Sequence, residues 1–291
     1  MDRLIEKAKV LVEALPYIQR FRNAVVVVKF GGSAMEDPEH VKGVLEDVTF
    51  MECVGMKLVL VHGGGKAISR GMKEDGIDSK FVHGLRVTCE RSIHVVKRVL
   101  NGEINPHIVQ MLEAKGAVAK GLHGEDIFHV TRKTGKDSVT GDLLDWGFVG
   151  EPGEVDTAPI HAMLDAGVIP VITPLGIGPD GNLHNINADV AAAAVAKALR
   201  ARKLAFLSDV PGLLRDPNDP ESLISTLKQT EVELLMKQGV ISGGMLPKIK
   251  SCMEALSAGV RKVHMIDGRM QHSLLLEMFT DKGVGTELVG D

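Results

Sequence analysis

The chain predicts an α/β fold, a three-layer αβα sandwich around a mainly parallel sheet, from two observations. Residues 24–30, 58–61, 168–172, 204–207 and 263–266 are continuous apolar runs, as strands buried on both faces must be. Between them lie helical patterns at 41–54, 66–74, 91–100, 104–114, 188–201, 232–237 and 247–258. Strands and helices that alternate in this order cover a parallel sheet on both sides.

Taken in order, the first element is an amphipathic helix over residues 1–22. Leu4, Ile5, Ala8, Leu11, Val12 and Leu15 recur at helical spacing, and Glu6, Lys7, Lys9 and Glu13 interrupt them, which fits neither a signal peptide nor a membrane span. Pro16 predicts a break or kink after Leu15. A short helix with an apolar stripe needs a surface to cover that stripe, either its own core or a partner's. Residues 117–155 differ from the rest, with short apolar pieces cut by Gly121, Gly124, Gly135, Gly141 and Gly147, and read as hairpins or a lid. Residues 215–221, with Pro217 and Pro220, read as a turn-rich insertion.

Composition narrows the function. The chain has 291 residues, 44% of them hydrophobic, enough for one large domain or two lobes. Its formal net charge is −4, with no basic surplus to draw nucleic acid or an anionic membrane. Cys53, Cys89 and Cys252 are scattered without a CxxC spacing, which favours a reducing compartment such as the cytoplasm and argues against a zinc site.

Three glycine turns carry the chemistry. The first strand ends Lys29-Phe30-Gly31-Gly32, the second runs into His62-Gly63-Gly64-Gly65, and Gly243-Gly244-Met245-Leu246-Pro247-Lys248 opens a late helix. Glycines let backbone N–H groups approach an anion, and each lysine supplies a cation, so the set suggests phosphoryl transfer. Taken alone, Lys29 reads equally well as a solvated strand-end lysine. Neither a P-loop nor a Gly-x-Gly-x-x-Gly fingerprint is present. Asn187 and Asp189 precede a small-residue helix, where Asn187 serves as readily for a cap as for a ligand. Asp189 is the acid expected to hold both lysines in place. Asp209, in Asp209-Val210-Pro211-Gly212-Leu213-Leu214, ends another strand and is expected on the same sheet edge, unless it marks a plain turn. Arg86, within Gly84-Leu85-Arg86-Val87-Thr88, offers a planar fork for a carboxylate, although by itself it reads as a surface arginine.

These motifs occur in the order seen in the amino acid kinase superfamily, and the chain from Ala24 onward resembles its N-acetylglutamate kinases. Gly-Leu-Arg-Val-Thr and Asn-Ile-Asn-Ala-Asp are the elements that separate this branch from carbamate, uridylate and aspartate kinases. The resemblance implies ATP, with Mg²⁺ carried on its phosphates and no metal held by the protein, and N-acetyl-L-glutamate as acceptor. It implies that Lys29 and Lys248 stabilise the transferring phosphoryl group while Asp189 organises both. Gly31, Gly32, Gly64 and Gly65 would donate N–H groups, Arg86 and Asn185 would hold the acceptor, and Asp209, Gly212, Leu214, Gly243, Gly244 and Met245 would border the nucleotide. It divides the chain into an oligomerisation helix, 1–23, an acceptor lobe, 24–185, and a nucleotide lobe, 186–291.

The extension also resembles the helix by which arginine-inhibited members join dimers into a hexameric ring. His264, Glu277 and Gly283, in a stretch that includes Asp281 and Lys282, resemble their L-arginine site, although His264 on an apolar strand reads first as a core histidine. A PII-type partner is compatible with such a ring. Two other readings stay open: a related small-acid kinase, and an arginine-sensing binding protein without catalysis.

Overall fold

The computed structural model describes residues 2–136, 141–243, 245–280 and 283–290. Helix α1 (Asp2–Phe21) leads into β1 (Val25–Phe30), α2 (Pro38–Cys53), β2 (Lys57–His62) and α3 (Gly65–Glu74). A two-stranded ribbon, β3 (Phe81–Val82) and β4 (Leu85–Arg86), precedes α4 (Glu90–Lys97) and α5 (Asn105–Glu113). Next come β5 (Ala119–Leu122), the hairpin of β6 (Phe128–Lys136) and β7 (Leu143–Val155), α6 (Ala158–Asp165), β8 (Ile169–Ile172), β9 (Leu175–Ile177) and β10 (Leu183–Asn185). The last third holds α7 (Ala188–Ala198), β11 (Lys203–Ser208), β12 (Thr226–Lys228), α8 (Val232–Lys237), α9 (Met245–Ser257), β13 (Lys262–Asp267), α10 (Ser273–Phe279) and β14 (Thr286–Val289).

Eight strands form one sheet in the order β12-β14-β13-β11-β1-β2-β8-β5, parallel except where β14 runs against β13. The apolar runs are continuous because each strand buries both faces. Val27, Val59, Val61, Leu204 and Phe206 pack in one core cluster with the α7 alanines and with Ile249 and Cys252 of α9. Val26, Val28, Phe30, Leu58, Leu60, Ala205 and Leu207 pack in the other, against α2, α5 and α10. Two helical layers on one parallel sheet make the three-layer sandwich. Helix α2 starts where Asp37 accepts from Glu39 N at 2.8 Å, with Pro38 in the first turn, where its missing N–H costs nothing.

The 117–155 region divides. β5 joins the edge of the main sheet, and the β6–β7 hairpin closes with β9 and β10 into a small barrel. The hairpin reading holds, although residues 137–140 of the expected lid lie outside the described residues. Beyond shifts of up to three residues at helix ends, two features differ from the sequence expectation. Pro16 does not break α1, which runs through it for 20 residues. The patterns at 91–100 and 104–114 are joined by a π-helical turn, Arg98–Ile104, whose wider winding the 3.6-residue pattern does not encode.

Helix α1 meets the body only through its last turns. Phe21 is 3% exposed and lies beneath Arg202 and Lys203, whose charges sit 5.0 Å from its ring, while Leu4, Val10, Leu11 and Val12 are all more than half exposed. Phe21 is therefore the anchor. Phe21→Ala is expected to cost ~3 kcal/mol, the usual loss for a buried aromatic cut to Ala, in urea unfolding. A loss indistinguishable from that of an exposed-site substitution would mean that the helix is not docked there.

Candidate active site

The carboxyl ends of β1, β2 and β11 lie side by side, which is where ligands collect in an open parallel sheet. Lys29 pairs with Val61 on one side and Phe206 on the other, so its side chain emerges at that edge. It folds back over its own turn: a Cβ on Gly31 would lie 2.8 Å from Lys29 Nζ, so only glycine leaves the ammonium its place. Asp189 is delivered by α7. Asn187 caps this helix, accepting from Asp189 N at 2.8 Å and Val190 N at 3.3 Å, and thus takes the cap role among its two readings. Ala191, Ala192 and Ala196 let α7 lie close on the sheet, and the Asp189 carboxylate comes 2.9 Å from Lys29 Nζ.

Lys248, on α9, is not held in the expected way. Its Nζ lies 3.0 Å from Asp209 Oδ1, at the end of β11, so each lysine has its own acid. The reason is geometric: the two cations come from different elements, and the carboxylate that meets Lys29 is in the first turn of α7 whereas the one that meets Lys248 follows β11. The Lys248 hydrogen bond holds the Asp209 carboxyl below its usual pKa. Both pairs, with Gly31, Gly32 and Ser251, line one hollow of about 150 Å³.

Beside it opens a cleft of about 800 Å³, lined by Lys29, Asp189 and Asp209 at one end and by Gly64, Gly65, Arg86 and Asn185 further along. Arg86 is 7% exposed, which corrects its reading as a surface residue. Its Nη2 donates to Gly65 O at 2.7 Å and Ser69 Oγ at 2.8 Å, its Nη1 donates to Ser79 Oγ at 2.8 Å and contacts Met72 Sδ at 3.2 Å, and its Cζ stands 4.7 Å from the Phe81 ring. None of these partners carries a negative charge. Burial lowers the guanidinium pKa, and an anion entering the cleft would supply the missing countercharge. The first turn of α3 points unsatisfied N–H groups and the positive end of its dipole at the same space.

The structure adds residues that the sequence reading passed over. Ser69 stands four residues after Gly65 on α3, a spacing that puts both on one helix face, whereas Ser79 comes from a loop that carries no periodic signal. Lys66 also lines the cleft. Gly212, Leu214, Gly243 and Met245 line neither cavity, and Gly244 lies outside the described residues.

His264, Glu277 and Gly283 meet in a separate cavity of about 300 Å³, together with Tyr17, Arg20 and Phe21 of α1 and with Lys203 and Lys262. His264 is 1% exposed, and its Nδ1 lies 2.6 Å from Glu277 Oε1. Glu277 Oε2 accepts from Val284 N at 2.7 Å and Gly285 N at 3.0 Å. Burial works to raise the Glu277 pKa, and the bonds from His264 and the two N–H groups outweigh it, so it sits below the usual value. His264 is thus a core histidine that also borders a cavity, bonded through Nδ1, while its Nε2 has no hydrogen-bond partner and lies 3.6 Å from Glu287 Oε1. Residues 281 and 282 lie outside the described residues.

With this geometry in hand, the comparisons agree. Residues 24–267 match the amino acid kinase family. The acetylglutamate kinase of Akkermansia muciniphila is 48% identical over 99% of this chain and 97% of its own. That of Caldanaerobacter subterraneus subsp. tengcongensis is 49% identical over 97% and 93%. Among solved structures, N-acetylglutamate synthase from Neisseria gonorrhoeae, complexed with coenzyme A and N-acetyl-glutamate, superposes with a TM-score of 0.84 at 27% identity, covering 98% of this chain and 63% of the synthase chain. Fold, site and relatives together show that this chain belongs to the amino acid kinase family and, within it, to the acetylglutamate kinases.

Proposed function

We propose that the chain transfers the γ-phosphoryl group of ATP to the γ-carboxylate of N-acetyl-L-glutamate, giving N-acetyl-L-glutamyl 5-phosphate, a step toward L-arginine. The observation that carries this reading is a buried arginine with only neutral partners along a cleft whose other end, at Lys29, Asp189 and Asp209, adjoins the hollow lined by both lysine–aspartate pairs. Arg86 and Asn185 hold the α-carboxylate and acetamido end of the acceptor, in the lobe of residues 24–185. Asp209 and the 240–245 turn border the nucleotide, in the lobe of residues 186–291.

The acceptor needs no general base, because an unperturbed γ-carboxyl titrates near ~4.3 and is already ionised at neutral pH. What the step needs is cancellation of charge as one anion meets another. Lys29 and Lys248 take the charge that develops on the transferring group, Asp189 and Asp209 hold their ammonium groups, and the N–H groups of Gly31, Gly32, Gly64 and Gly65 bind oxygens. Among the described residues no group of three or more His, Cys, Asp or Glu side chains is placed for a metal ion, and both acids at the hollow face lysines. That donor set fits Mg²⁺ carried by the ATP phosphates, where the ion would screen their charge.

Feedback inhibition by L-arginine at the second cavity is part of the proposal. Its support is that the last turns of α1 and the residues His264, Glu277 and Gly283 line the same space. Glu277 and Glu287 suit a guanidinium and Lys203 suits a carboxylate. The N-acetylglutamate synthase has also been solved with L-arginine, with a TM-score of 0.80 to this chain. The exposed apolar face of α1 suits a partner subunit, so residues 1–23 are proposed to join dimers into a hexamer, to which a PII-type protein would dock. No described helix is long and apolar enough to cross a membrane, and we place the enzyme in the cytoplasm.

Hydroxylamine trapping of the acyl phosphate should give ATP-dependent product with N-acetyl-L-glutamate and not with glutamate, aspartate or carbamate; product with none of them would end this reading. Lys29→Ala and Lys248→Ala should each lower kcat by at least ~10², as the loss of one transition-state donor does, with smaller changes in KM. Arg86→Lys should act mainly on KM for the acceptor, because the charge stays and the fork is lost. Burial pulls Lys203 down to about 8, so its ammonium is present below that pH and lost above it. Arginine inhibition should therefore weaken ~10-fold between pH 7 and pH 9, read as the half-inhibiting concentration. An unchanged value would remove Lys203 from the effector site.

A further inference from the structure

The glycine turn after β2 is held from beneath by two buried polar side chains to which the mechanism above gives no part. His62 is fully buried, with Nδ1 2.9 Å from Gly63 O and Nε2 3.1 Å from Asn105 Nδ2. Asn105 is 2% exposed, and the same Nδ2 lies 2.8 Å from Val171 O on β8. These contacts fix the protons. A carbonyl only accepts, so the Asn105 atom that faces Val171 is its amide nitrogen, whose second hydrogen is directed at His62 Nε2. Nε2 then accepts, and the one proton of the neutral imidazole sits on Nδ1 and is donated to Gly63 O. Burial agrees with a neutral ring, since it pulls the His62 pKa down to about 4.

We propose that His62, its tautomer fixed by Asn105, is a positioning residue that aims the Gly64 N–H into the cleft. The proposal rests on the phosphoryl-transfer reading above, in which that N–H serves the acceptor carboxylate and the transferring group. In a trans peptide the carbonyl and the next N–H point in opposite directions, and among the described residues no peptide bond is cis. Gly63 O is turned toward the buried ring, so the Gly64 N–H faces the cleft that Gly63, Gly64 and Gly65 line. The N–H of Gly63 itself is already committed to Phe30 O at 2.8 Å, which makes Gly64 the first donor of the turn free for a ligand. The apolar side of the clamp is as tight. A Cβ on Gly64 would lie 2.6 Å from Ile104 Cδ1 and 2.9 Å from Leu100 Cδ2, both on the π-helical turn that ends at Ile104 and is followed directly by Asn105. One local widening of the helix thus supplies the apolar wall and the amide that sets the imidazole.

Two readouts on the full chain test this. Imidazole ¹⁵N spectra of the wild type at neutral pH should show His62 protonated on Nδ1 and bare on Nε2, and Asn105→Leu should lose that preference. A proton on Nε2 in the wild type would overturn the proposal. In turnover, His62→Gln and His62→Leu should lower kcat/KM for the acceptor ~10²-fold while KM for ATP stays within about twofold, as for one misdirected backbone donor. His62→Asn, whose amide nitrogen stands near the place of Nδ1, should recover most of that loss. Equal losses in the Asn and Gln variants, or a parallel rise in KM for ATP, would leave His62 a packing role only and contradict the proposal. If the Leu variant does not fold, the Asn and Gln comparison decides. A wild type that phosphorylates no acceptor would sink the functional reading instead, and the tautomer spectra would then decide the His62–Asn105 pair without it.

Discussion

Two ammonium groups held at one sheet edge are the constraint around which this structure is organised. Lys29 and Lys248 would repel each other and any neighbouring cation if they were gathered alone. The two carboxylates, Asp189 at 2.9 Å and Asp209 at 3.0 Å, remove that obstacle. Much of the surrounding architecture serves to deliver these four groups. β1 and β11 are neighbours, so Lys29 and Asp209 emerge together, and the alanines of α7 bring Asp189 down onto the sheet. These four groups cancel one another's charge, so in the proposed reaction the hollow would take up the charge of a nucleotide without having stored an excess of its own.

The same neutrality does not hold at Arg86. Its partners are a backbone carbonyl, two hydroxyls, a thioether and an aromatic face, all of which orient a guanidinium without cancelling its charge. That difference divides the cleft chemically: at one end the cations are paired with acids, and at the other a guanidinium keeps a charge that none of its partners cancels. β11 links this edge to the second cavity, because Lys203 begins the strand beside α1 and Ser208 ends it beside Asp209. A strand of this length spans ~17 Å, so any effect of an occupant at Lys203 has a short, stiff element to act on.

Much of the frame was legible in the sequence because burial leaves a compositional trace. The five apolar runs are strands, each within one residue at either end, since a strand covered on both faces admits no polar alternation. Lys29, Asp189, Asp209 and Lys248 were recognisable as candidates from the glycines and small residues around them, but their pairing was not, because which acid meets which lysine depends on the packing of α7 and α9 against different strands. Arg86 looked like a surface residue because its partners come from α3 and from an aperiodic loop. Pro16 suggested a break, yet α1 continues through it. The π-helical turn was invisible to a search for 3.6-residue periodicity.

A double-mutant cycle on Lys248 and Asp209, read in kcat, tests the pairing of the second lysine most directly. If Asp209 acts by holding Lys248, Asp209→Asn should lower kcat in the wild type and do almost nothing once Lys248 is Ala, a coupling on the order of 1 kcal/mol or more. If the two losses simply add, Asp209 acts on its own and the paired-charge account of this site is wrong.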